Sequence, residues 1–342
     1  MRQGFYPSRG SAQINVIGAG VAGTWQALLF AKAGYAVALY ERSGRELTHA
    51  ASRCAGGMLA PWCEEESAEP LIARLGERSL NLWREHVPGA AFNGSLVVAH
   101  VRDRADYQRF SRLTRNYQHI DGTRIAAMEP ALAGRFNDAL FFSGEGHVEP
   151  RRVLPTLHER LVAYGVPIHF HATSSPQELD GTVIDCRGLA ARDADDETTA
   201  TLRGVKGEFV IVETEEIALA RPVRLIHPRW PLYIIPRAGN RFMIGATSIE
   251  SEDGGVSVRS VLELLSAAYA VHPAFAEARV VEFDAGLRPA FPDNLPRICV
   301  RGTQIAVNGL YRHGFLLAPA LAEMTVAYVA SGAIDNEVMQ CN

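Results

Sequence analysis

The chain has 342 residues, of which 47% are hydrophobic and 21% are charged, as is usual for a globular enzyme. This length exceeds what one hydrophobic core commonly fills, so we expect two domains. A formal net charge of −4 gives no electrostatic reason to expect nucleic acid or a membrane as a partner. The widely spaced Cys54, Cys63, Cys186, Cys299 and Cys341 form no CxxC pair. They argue against a disulfide framework or a zinc site and favour reduced thiols in a cytoplasmic protein.

The first regular pattern is a strand, a tight turn, a helix and a second parallel strand, over residues 14–41. In the turn, Gly18 permits the bend, Gly20 lets the backbone approach a pyrophosphate, and Gly23 lets the helix pack on the strand. The helix N-terminus offers N–H groups and a positive dipole end to phosphates. Glu41, about 20 residues further on, is the acid expected to accept from an adenosine ribose hydroxyl. The pattern predicts a dinucleotide site without distinguishing FAD from NAD.

Two apolar stretches are interpreted as buried elements, and no membrane segment is expected. Residues 14–31 follow a basic leader, but their glycine pattern and polar positions favour a βα unit over a signal peptide. Residues 315–334 contain Pro319 and Glu323, so we predict a packed helix. Residues 1–13 are predicted to be a flexible tail.

The segment after Glu41, residues 43–64, is rich in Gly, Ala and Ser. The alternatives are a surface loop or backbone lying against a flat ligand, and small residues favour the second. The acids that end this segment and follow it are interpreted as the solvated start of a helix rather than catalytic groups. They are Glu64, Glu65, Glu66 and Glu69.

The rest of the chain alternates between two kinds of pattern. Helices are predicted near 68–85, 104–115, 152–164, 257–269 and 315–330, and short antiparallel strands at 208–213, 232–236 and 241–247. The predicted fold is α/β: a discontinuous Rossmann-type FAD-binding domain with an inserted substrate domain of antiparallel β-sheet plus helices. The FAD-binding domain takes residues 14–90, 145–205 and 285–342, and the substrate domain takes 91–144 and 206–284. This discontinuous layout favours a flavoenzyme over a nicotinamide dehydrogenase.

Eight segments, in order along the chain, together resemble the FAD-dependent D-amino acid oxidase superfamily, and most closely the glycine oxidases of the thiamine-biosynthesis type. They are GAGVAG (18–23) with Glu41, AGGMLAPWCE (55–64), HVEPRR (147–152), KGE (206–208), LYIIPR (232–237), IGAT (244–247), GLRP (286–289) and NGLYRHGFLLAP (308–319). The resemblance implies an amino acid bound over the flavin and oxidised to an imine. Dioxygen is then the acceptor that yields hydrogen peroxide, and water hydrolyses the imine.

Three residues are predicted to act on the substrate. Arg288 is the expected clamp for its carboxylate, because a planar guanidinium binds both oxygens; the alternative is a surface ion pair. Tyr233 is the matching hydroxyl donor, or else a core tyrosine. Arg312 matches a family position beside the substrate, with a surface role as the alternative. No side-chain base is expected, because positioning and electrostatics carry the rate in this family.

The cofactor residues are predicted from the glycine motif and from the resemblance, and the start of the last helix is expected to supply donors to the flavin. They are Gly18, Gly20, Val21, Ala22, Gly23, Glu41, Arg42, Ala51, Ser52, Ala55, Gly57, Met58, Leu59, Gly188, Arg288, Arg312, His313, Gly314, Phe315 and Leu316. Some relatives attach the flavin through a cysteine after GLRP. Residues 289–298 contain none, so the FAD is expected to be non-covalent.

The sequence departs from the family at three positions. Leu310 stands where relatives often have His, Arg187 where they have a small residue, and Ser248 where they have a bulkier one. Arg187 is either a cation near the cofactor or a solvent-facing side chain, and Ser248 alters the substrate pocket. These departures make amino acid oxidation a firmer expectation than glycine preference.

The leading hypothesis is a glycine oxidase that makes iminoacetate or glyoxylate, ammonia and hydrogen peroxide for the thiazole branch of thiamine biosynthesis. The alternatives are an oxidase or dehydrogenase for sarcosine, a D-amino acid or an N-substituted glycine, and a non-catalytic or NAD-dependent nucleotide-binding protein. No metal is expected. Members of the resembled family often form homodimers or homotetramers, so a homo-oligomer is among the expected states.

Overall fold

The structure is a computed structural model, and it describes residues 13–193, 199–226 and 232–341. The predicted tail therefore lies outside the described residues, apart from Gln13. The helices are α1 (Val21–Lys32), α2 (Pro61–Glu64), α3 (Pro70–His86), α4 (Arg104–Leu113), α5 (Gly122–Met128), α6 (Pro150–Ala163), α7 (Val258–Val271) and α8 (Gly314–Ser331). The strands are β1 (Gln13–Ile17), β2 (Ala36–Tyr40), β3 (Met58–Leu59), β4 (Ser95–Val98), β5 (Gln118–Asp121), β6 (Asp138–Phe142), β7 (Gly146–His147), β8 (Ile168–His169), β9 (Thr182–Asp185), β10 (Arg203–Glu213), β11 (Val223–Leu225), β12 (Leu232–Arg237), β13 (Arg241–Gly245), β14 (Arg279–Ala290), β15 (Arg297–Arg301), β16 (Gln304–Asn308) and β17 (Met339–Cys341).

The first sheet has the order β17-β15-β16-β9-β1-β2-β8. Its strands run parallel except for the β15–β16 pair. β1 lies between β9 and β2 and is therefore a central strand, and the last four of its five residues are buried. The turn that follows β1 therefore opens at the carboxyl edge of the parallel strands, where open α/β sheets bind ligands.

α1 packs between this sheet and α8, which explains its composition. Its polar Thr24 and Gln26 are fully buried, and Gln26 Nε2 donates to Thr325 Oγ1 on α8 at 3.1 Å. A helix that is covered on all sides has no solvated face. The amphipathic α3 instead buries one side, including Trp83, whose Nε1 donates to the carbonyl of Phe315 at 2.8 Å.

Among the residues that the structure describes, one helix is long and apolar enough to cross a membrane by length and composition. It spans residues 311–331, and 61% of its most apolar window is buried inside the protein. Core helices of this kind pass the same test, because packing against α1 and α3 also selects apolar residues on every side. The placement agrees with the prediction of a packed helix.

The second sheet has the order β14-β10-β13-β12-β11-β4-β6-β5. Its strands are antiparallel except for the β11–β4 pair. α7 covers one face of β10, β12 and β13 and closes a second hydrophobic core. The other face of β12 and β13 is turned to the cleft that divides the two sheets.

Two of the predicted domain boundaries fall inside strands of this second sheet. β14 pairs with β10 from Arg279 to Ala290, so it crosses the boundary placed between residues 284 and 285. β10 likewise crosses the boundary between residues 205 and 206. A division that kept this pair of strands whole would assign 203–290 to one domain. The physical reason is that β14 has to run the full length of β10 to satisfy its ladder hydrogen bonds.

Candidate functional site

A cleft of about 820 Å³ lies between the two sheets. One end is formed by the turn after β1 and the end of β2, and the other by β12, β13 and β14. The loop before β3 and the start of α8 border the cleft between these ends. A volume of this size is within the range of small-molecule and cofactor sites.

The turn after β1 requires its first glycine. Gly18 has φ +97°, and a Cβ there would lie 2.6 Å from the carbonyl oxygen of Cys186. The next glycine, Gly20, is the N-cap of α1, and the Val21 amide donates to Ser52 Oγ at 3.0 Å. The first-turn N–H groups of a helix lack intrahelical acceptors and favour anions. This end of the cleft therefore suits a pyrophosphate.

Glu41 holds a fixed position at the end of β2. Its Oε2 accepts from the Ala19 amide at 2.9 Å, and its Oε1 accepts from the Ser43 amide at 2.8 Å. The carboxylate is buried yet borders the cleft. Oε1 also accepts from the Ser43 hydroxyl at 2.6 Å, so the lone pair left to accept a ribose hydroxyl is on Oε2.

The loop before β3 passes along the cleft with its backbone close to neighbouring groups. A Cβ at Gly56 would lie 2.8 Å from Ile235 Cδ1, and one at Gly57 would lie 2.2 Å from the carbonyl oxygen of Val148. Gly57 also has φ +70°. The close approach on both sides is the reason that this segment is built from small residues.

Arg288 lies at the opposite end of the cleft, on β14. Its Nη1 donates to the carbonyl of Thr247 at 3.0 Å and to that of Lys206 at 3.4 Å. A Cβ at Gly207 would come 2.0 Å from Nη2, so the glycine of the KGE segment makes room for the guanidinium. Desolvation and the nearby Arg312 charge lower the Arg288 pKa to about 10. Within the described part of the chain, no carboxylate lies within ion-pair distance of it.

Glu64 was expected to be solvated, and this expectation is wrong. Its side chain is buried, with Oε2 2.8 Å from Arg312 Nη2 and 3.0 Å from His313 Nε2. Tyr233 OH lies 3.5 Å from the other oxygen. Burial raises the pKa of Glu64, but Arg312 and His313 outweigh it and hold that pKa well below its usual range. The group is therefore an anion at neutral pH.

A second buried acid fixes the helix that carries Glu64. Glu145 Oε1 accepts from the amides of Trp62 and Cys63 at 3.1 and 2.8 Å, in the first turn of α2. A carboxylate there satisfies donors that have no intrahelical partner. The short helix thereby holds its last residue, Glu64, against the cleft.

The three residues predicted to act on the substrate all border this end of the cleft. The surface alternatives for Arg288 and Arg312 do not apply, because neither side chain is on the exterior. The charge of Arg312 is compensated by Glu64, whereas that of Arg288 is not. An incoming carboxylate would therefore supply the negative charge that Arg288 lacks.

The structure places the three family departures at this cleft. Arg187 binds Asp185 through two contacts, Nε to Oδ1 at 2.9 Å and Nη2 to Oδ2 at 2.7 Å. Ser248 Oγ lies 2.9 Å from the hydroxyl of Tyr311, a residue with φ +49°. Leu310 is buried at the border of the cleft.

Most of the predicted cofactor residues border the cleft, and four do not: Gly23, Leu59, His313 and Leu316. A Cβ at Gly23 would come 1.9 Å from the Gly18 carbonyl oxygen, so this glycine serves helix packing. Leu59 and Leu316 are buried in the core. His313 reaches Glu64 instead of the cleft. The structure thus places these four residues away from the cleft lining, with Gly23 in the helix-packing position expected from the glycine motif.

Sequence reasoning missed two residues at the substrate end, Glu64 and Tyr311. Glu64 is the last residue of the quoted segment AGGMLAPWCE, which was a usable signal. Glu64 contacts Arg312 and His313, which lie 248 and 249 positions further along the chain. Nothing local indicated that it would be buried.

The chain is similar to known proteins over nearly its whole length. The model of a family described as FAD dependent oxidoreductase matches residues 13–328. A protein of Rhizobium etli that bears the name thiamine biosynthesis oxidoreductase ThiO is 50% identical over 312 residues, which cover 91% of this chain and 94% of that protein. The crystal structure of glycine oxidase from Geobacillus kaustophilus has a TM-score of 0.76 at 26% identity, covering 95% and 96% of the two chains. An L-proline dehydrogenase from P. horikoshii has a TM-score of 0.79 at 18% identity over 96% of each chain, a likeness of fold alone. The predicted fold class is confirmed.

Proposed function

The chain belongs to the FAD-dependent oxidoreductase family, and from this premise we propose that it oxidises glycine to iminoacetate. Hydrolysis of the imine gives glyoxylate and ammonia, and dioxygen takes up the electron pair as hydrogen peroxide. The family and its named relatives make the chain an FAD-dependent amino acid oxidase. The choice of glycine and the supply of iminoacetate to thiazole assembly are the proposed steps. The single observation that carries the proposal is the uncompensated Arg288 at the end of the cleft.

The residues that border the cleft fit FAD. Gly18 and Gly20 leave room for a pyrophosphate beside α1, and Glu41 offers a carboxylate oxygen to a ribose hydroxyl. Gly56 and Gly57 leave a flat strip of backbone further along the cleft. FAD bound there would be the two-electron acceptor for the amine and would pass the electrons on to dioxygen. With no cysteine in residues 289–298, the attachment is proposed to be non-covalent.

The substrate residues act by position and charge. Arg288 binds the amino acid carboxylate through Nη2 and Nε, a planar pair of donors, because Nη1 already donates to the carbonyls of Thr247 and Lys206. Tyr233 is proposed to donate its hydroxyl to the same carboxylate. The Arg312–Glu64 pair is neutral as a unit, so it closes the pocket without competing with Arg288 for the carboxylate. The fixed carboxylate then orients the adjacent carbon, and orientation alone accounts for much of the rate of such reactions.

The place in thiamine biosynthesis is supported by the Rhizobium etli relative, whose name includes that pathway. Half of its residues are identical over nearly its entire length. A small substrate is in keeping with the contact between Ser248 and Tyr311, which joins two walls of the pocket. We therefore propose glycine ahead of bulkier amines.

The proposal is tested by a peroxide-coupled assay of the purified yellow protein with glycine, sarcosine, D-alanine, D-proline and N-alkylglycines. We expect glycine to give the highest kcat/KM and one hydrogen peroxide for each glyoxylate. Anaerobic mixing with each amine, followed by flavin absorption, is the matched control for the electron acceptor. Bleaching of the flavin by glycine without peroxide in air would identify an acceptor other than dioxygen. Turnover of N-alkylglycines with glycine inert would overturn the glycine assignment.

A further inference from the structure

A second cavity, of about 470 Å³, lies on the other side of the loop that borders the cleft. It is enclosed by the chain that follows α3, by the start of α6 and by the end of β12. Its walls combine apolar side chains such as Val87 and Leu157 with several basic groups. A cavity of this volume has room for a small metabolite.

The basic groups of the cavity exceed its acids. Arg152, Arg160 and Arg237 line it, and Glu149 is the one carboxylate on its described wall. Glu149 Oε2 lies 3.9 Å from Arg152 Nη1, so that pair is partly neutralised. Arg160 donates to the carbonyl of His86 and has no ion pair among the residues that the structure describes. The cavity is therefore positive overall.

Arg237 is the central group of this set. Its Nη1 donates to the carbonyl of Val148 at 3.1 Å, and its Nη2 to that of Gly56 at 2.6 Å. No carboxylate lies within ion-pair distance of it in the described ranges. Desolvation lowers its pKa to about 10. Glu149 supplies a partial counter-charge, but it is shared with Arg152 and offset by Arg151, so the site favours an added anion.

His147 provides a second, independent indication of a ligand. The residue is only 8% exposed, and it lines the cavity. Its Nδ1 has no hydrogen-bond partner among the described residues. Desolvation and the Arg237 charge lower its pKa to about 4, so the ring is neutral and can place an N–H on Nδ1. A buried polar atom of this kind normally has a partner.

We propose that this cavity is a binding site for a small anion that carries a carboxylate or phosphate group, held by Arg237, Arg152 and the imidazole of His147. The site is separate from the amine pocket, and the proposal does not depend on which amine the enzyme oxidises. It is linked to the FAD cleft through hydrogen bonds, because Arg237 donates to Gly56, whose backbone borders the cleft. An anion in the cavity thus acts on the loop against which FAD would lie.

The test is isothermal titration calorimetry of the FAD-loaded protein with sodium phosphate and, separately, with sodium succinate. We expect saturable binding of one anion per chain. The anion with the lower dissociation constant, phosphate or succinate, identifies the chemical class of the ligand. Gly89 lines the cavity, and a Cβ there meets nothing within 4 Å. Because Gly89 lies on the cavity wall, the bulky side chain of the Gly89→Phe variant should obstruct the cavity and weaken binding at least about 10-fold. Absence of saturable binding of both anions to the wild-type protein would overturn the proposal.

Two further variants locate the bound anion. Arg152→Gln should weaken binding about 3- to 10-fold, whereas Arg102→Gln should leave it unchanged. The two arginines are matched, with 70% and 74% of the side chain exposed and one nearby carboxylate each. Arg288→Lys distinguishes the cavity from the amine pocket. Binding kept in Arg288→Lys and lost in Gly89→Phe supports the cavity, and the reverse pattern refutes it.

Discussion

At the scale of single residues, the partners of two arginines separate their roles. Arg312 Nη2 lies 2.8 Å from Glu64 Oε2, so its charge is already balanced. Arg288 is held by two backbone carbonyls, which fix its direction without neutralising it. At this end of the cleft, a carboxylate would meet an unpaired guanidinium at Arg288 and a paired one at Arg312. The resemblance had offered both residues as substrate contacts, and the pairing with Glu64 makes Arg312 a wall of the pocket.

Replacement of Arg288 by lysine is the prediction at this scale. The ammonium keeps the charge but loses the planar pair of donors, so kcat/KM for glycine should fall about 10- to 100-fold. The flavin absorption spectrum and FAD content should stay as in the wild type. Steady-state kinetics measure the first effect and absorbance ratios the second.

Arg279→Lys is the matched control, because Arg279 begins the same strand, β14, and is mostly exposed. It should keep wild-type kinetics. Loss of FAD from Arg288→Lys with unchanged substrate kinetics would assign Arg288 to the cofactor instead of the substrate.

At the scale of elements, the loop before β3 lies between the cofactor cleft and the residues that line the second cavity. Gly57 accepts from the Val148 amide at 2.9 Å through its carbonyl, next to the two-stranded pairing of β3 with β7. On its other side the same loop borders the cleft. The backbone of this loop therefore contacts Val148 on one side and borders the cleft on the other, and a side chain at Gly57 would not fit between the loop and Val148.

Substitution of Gly57 by alanine should destabilise the protein by at least about 3 kcal/mol. Part of this loss is the left-handed backbone, which costs roughly 1 kcal/mol for alanine. The rest comes from the Cβ, which would lie 2.2 Å from the Val148 carbonyl oxygen. Urea unfolding followed by fluorescence measures the change in the free energy of unfolding.

Gly165→Ala isolates the backbone contribution. Gly165 has φ +79°, and a Cβ there meets nothing within 4 Å, so the loss should be about 1 kcal/mol. Equal losses for the two variants would show that the close contact at Gly57 has no energetic weight.

At the scale of the whole molecule, two hydrophobic cores meet at the cleft, and buried polar groups join them. Glu145 lies in the turn between β6, in the second sheet, and β7, and it accepts from the start of α2 and from Ser95. Burial raises the pKa of Glu145 from its ordinary 4.5 to about 7, since the hydrogen bonds that lower it are smaller effects. The group thus carries a proton in the folded state at a pH where the unfolded chain has lost it.

The sign of the resulting pH dependence follows from proton linkage. Between about pH 4.5 and pH 7 the folded protein binds more protons at Glu145 than the unfolded chain does. Its contribution to the free energy of unfolding therefore falls as the pH rises through that window. The slope approaches about 1.4 kcal/mol per pH unit. Glu145→Gln should remove this slope and gain up to roughly 3 kcal/mol over the wild type at pH 8.

Urea unfolding at a series of pH values measures this prediction. Glutamine keeps the oxygen that accepts from the Trp62 and Cys63 amides, so the fold should be retained. Glu159→Gln, on the exposed side of α6, is the substitution control and should follow the wild-type curve. A parallel curve for Glu145→Gln would show that another group sets the slope.

The sequence by itself determined the βαβ unit, the class of fold, the family and the cofactor. The βαβ unit follows from short-range patterns, because Gly18, Gly20 and Gly23 act within one turn and strand and helix periods repeat over a few residues. The family and the cofactor follow from the resemblance carried by the eight segments. The tertiary structure alone decided which charges are balanced, where β14 crosses the expected boundary, and that a second cavity exists. The physical reason is that burial and ion pairing depend on groups distant in the chain, as Glu64 and Arg312 are. Both arginines are desolvated, and the ion pair with Glu64, which distinguishes Arg312 from Arg288, forms only when both sheets are in place.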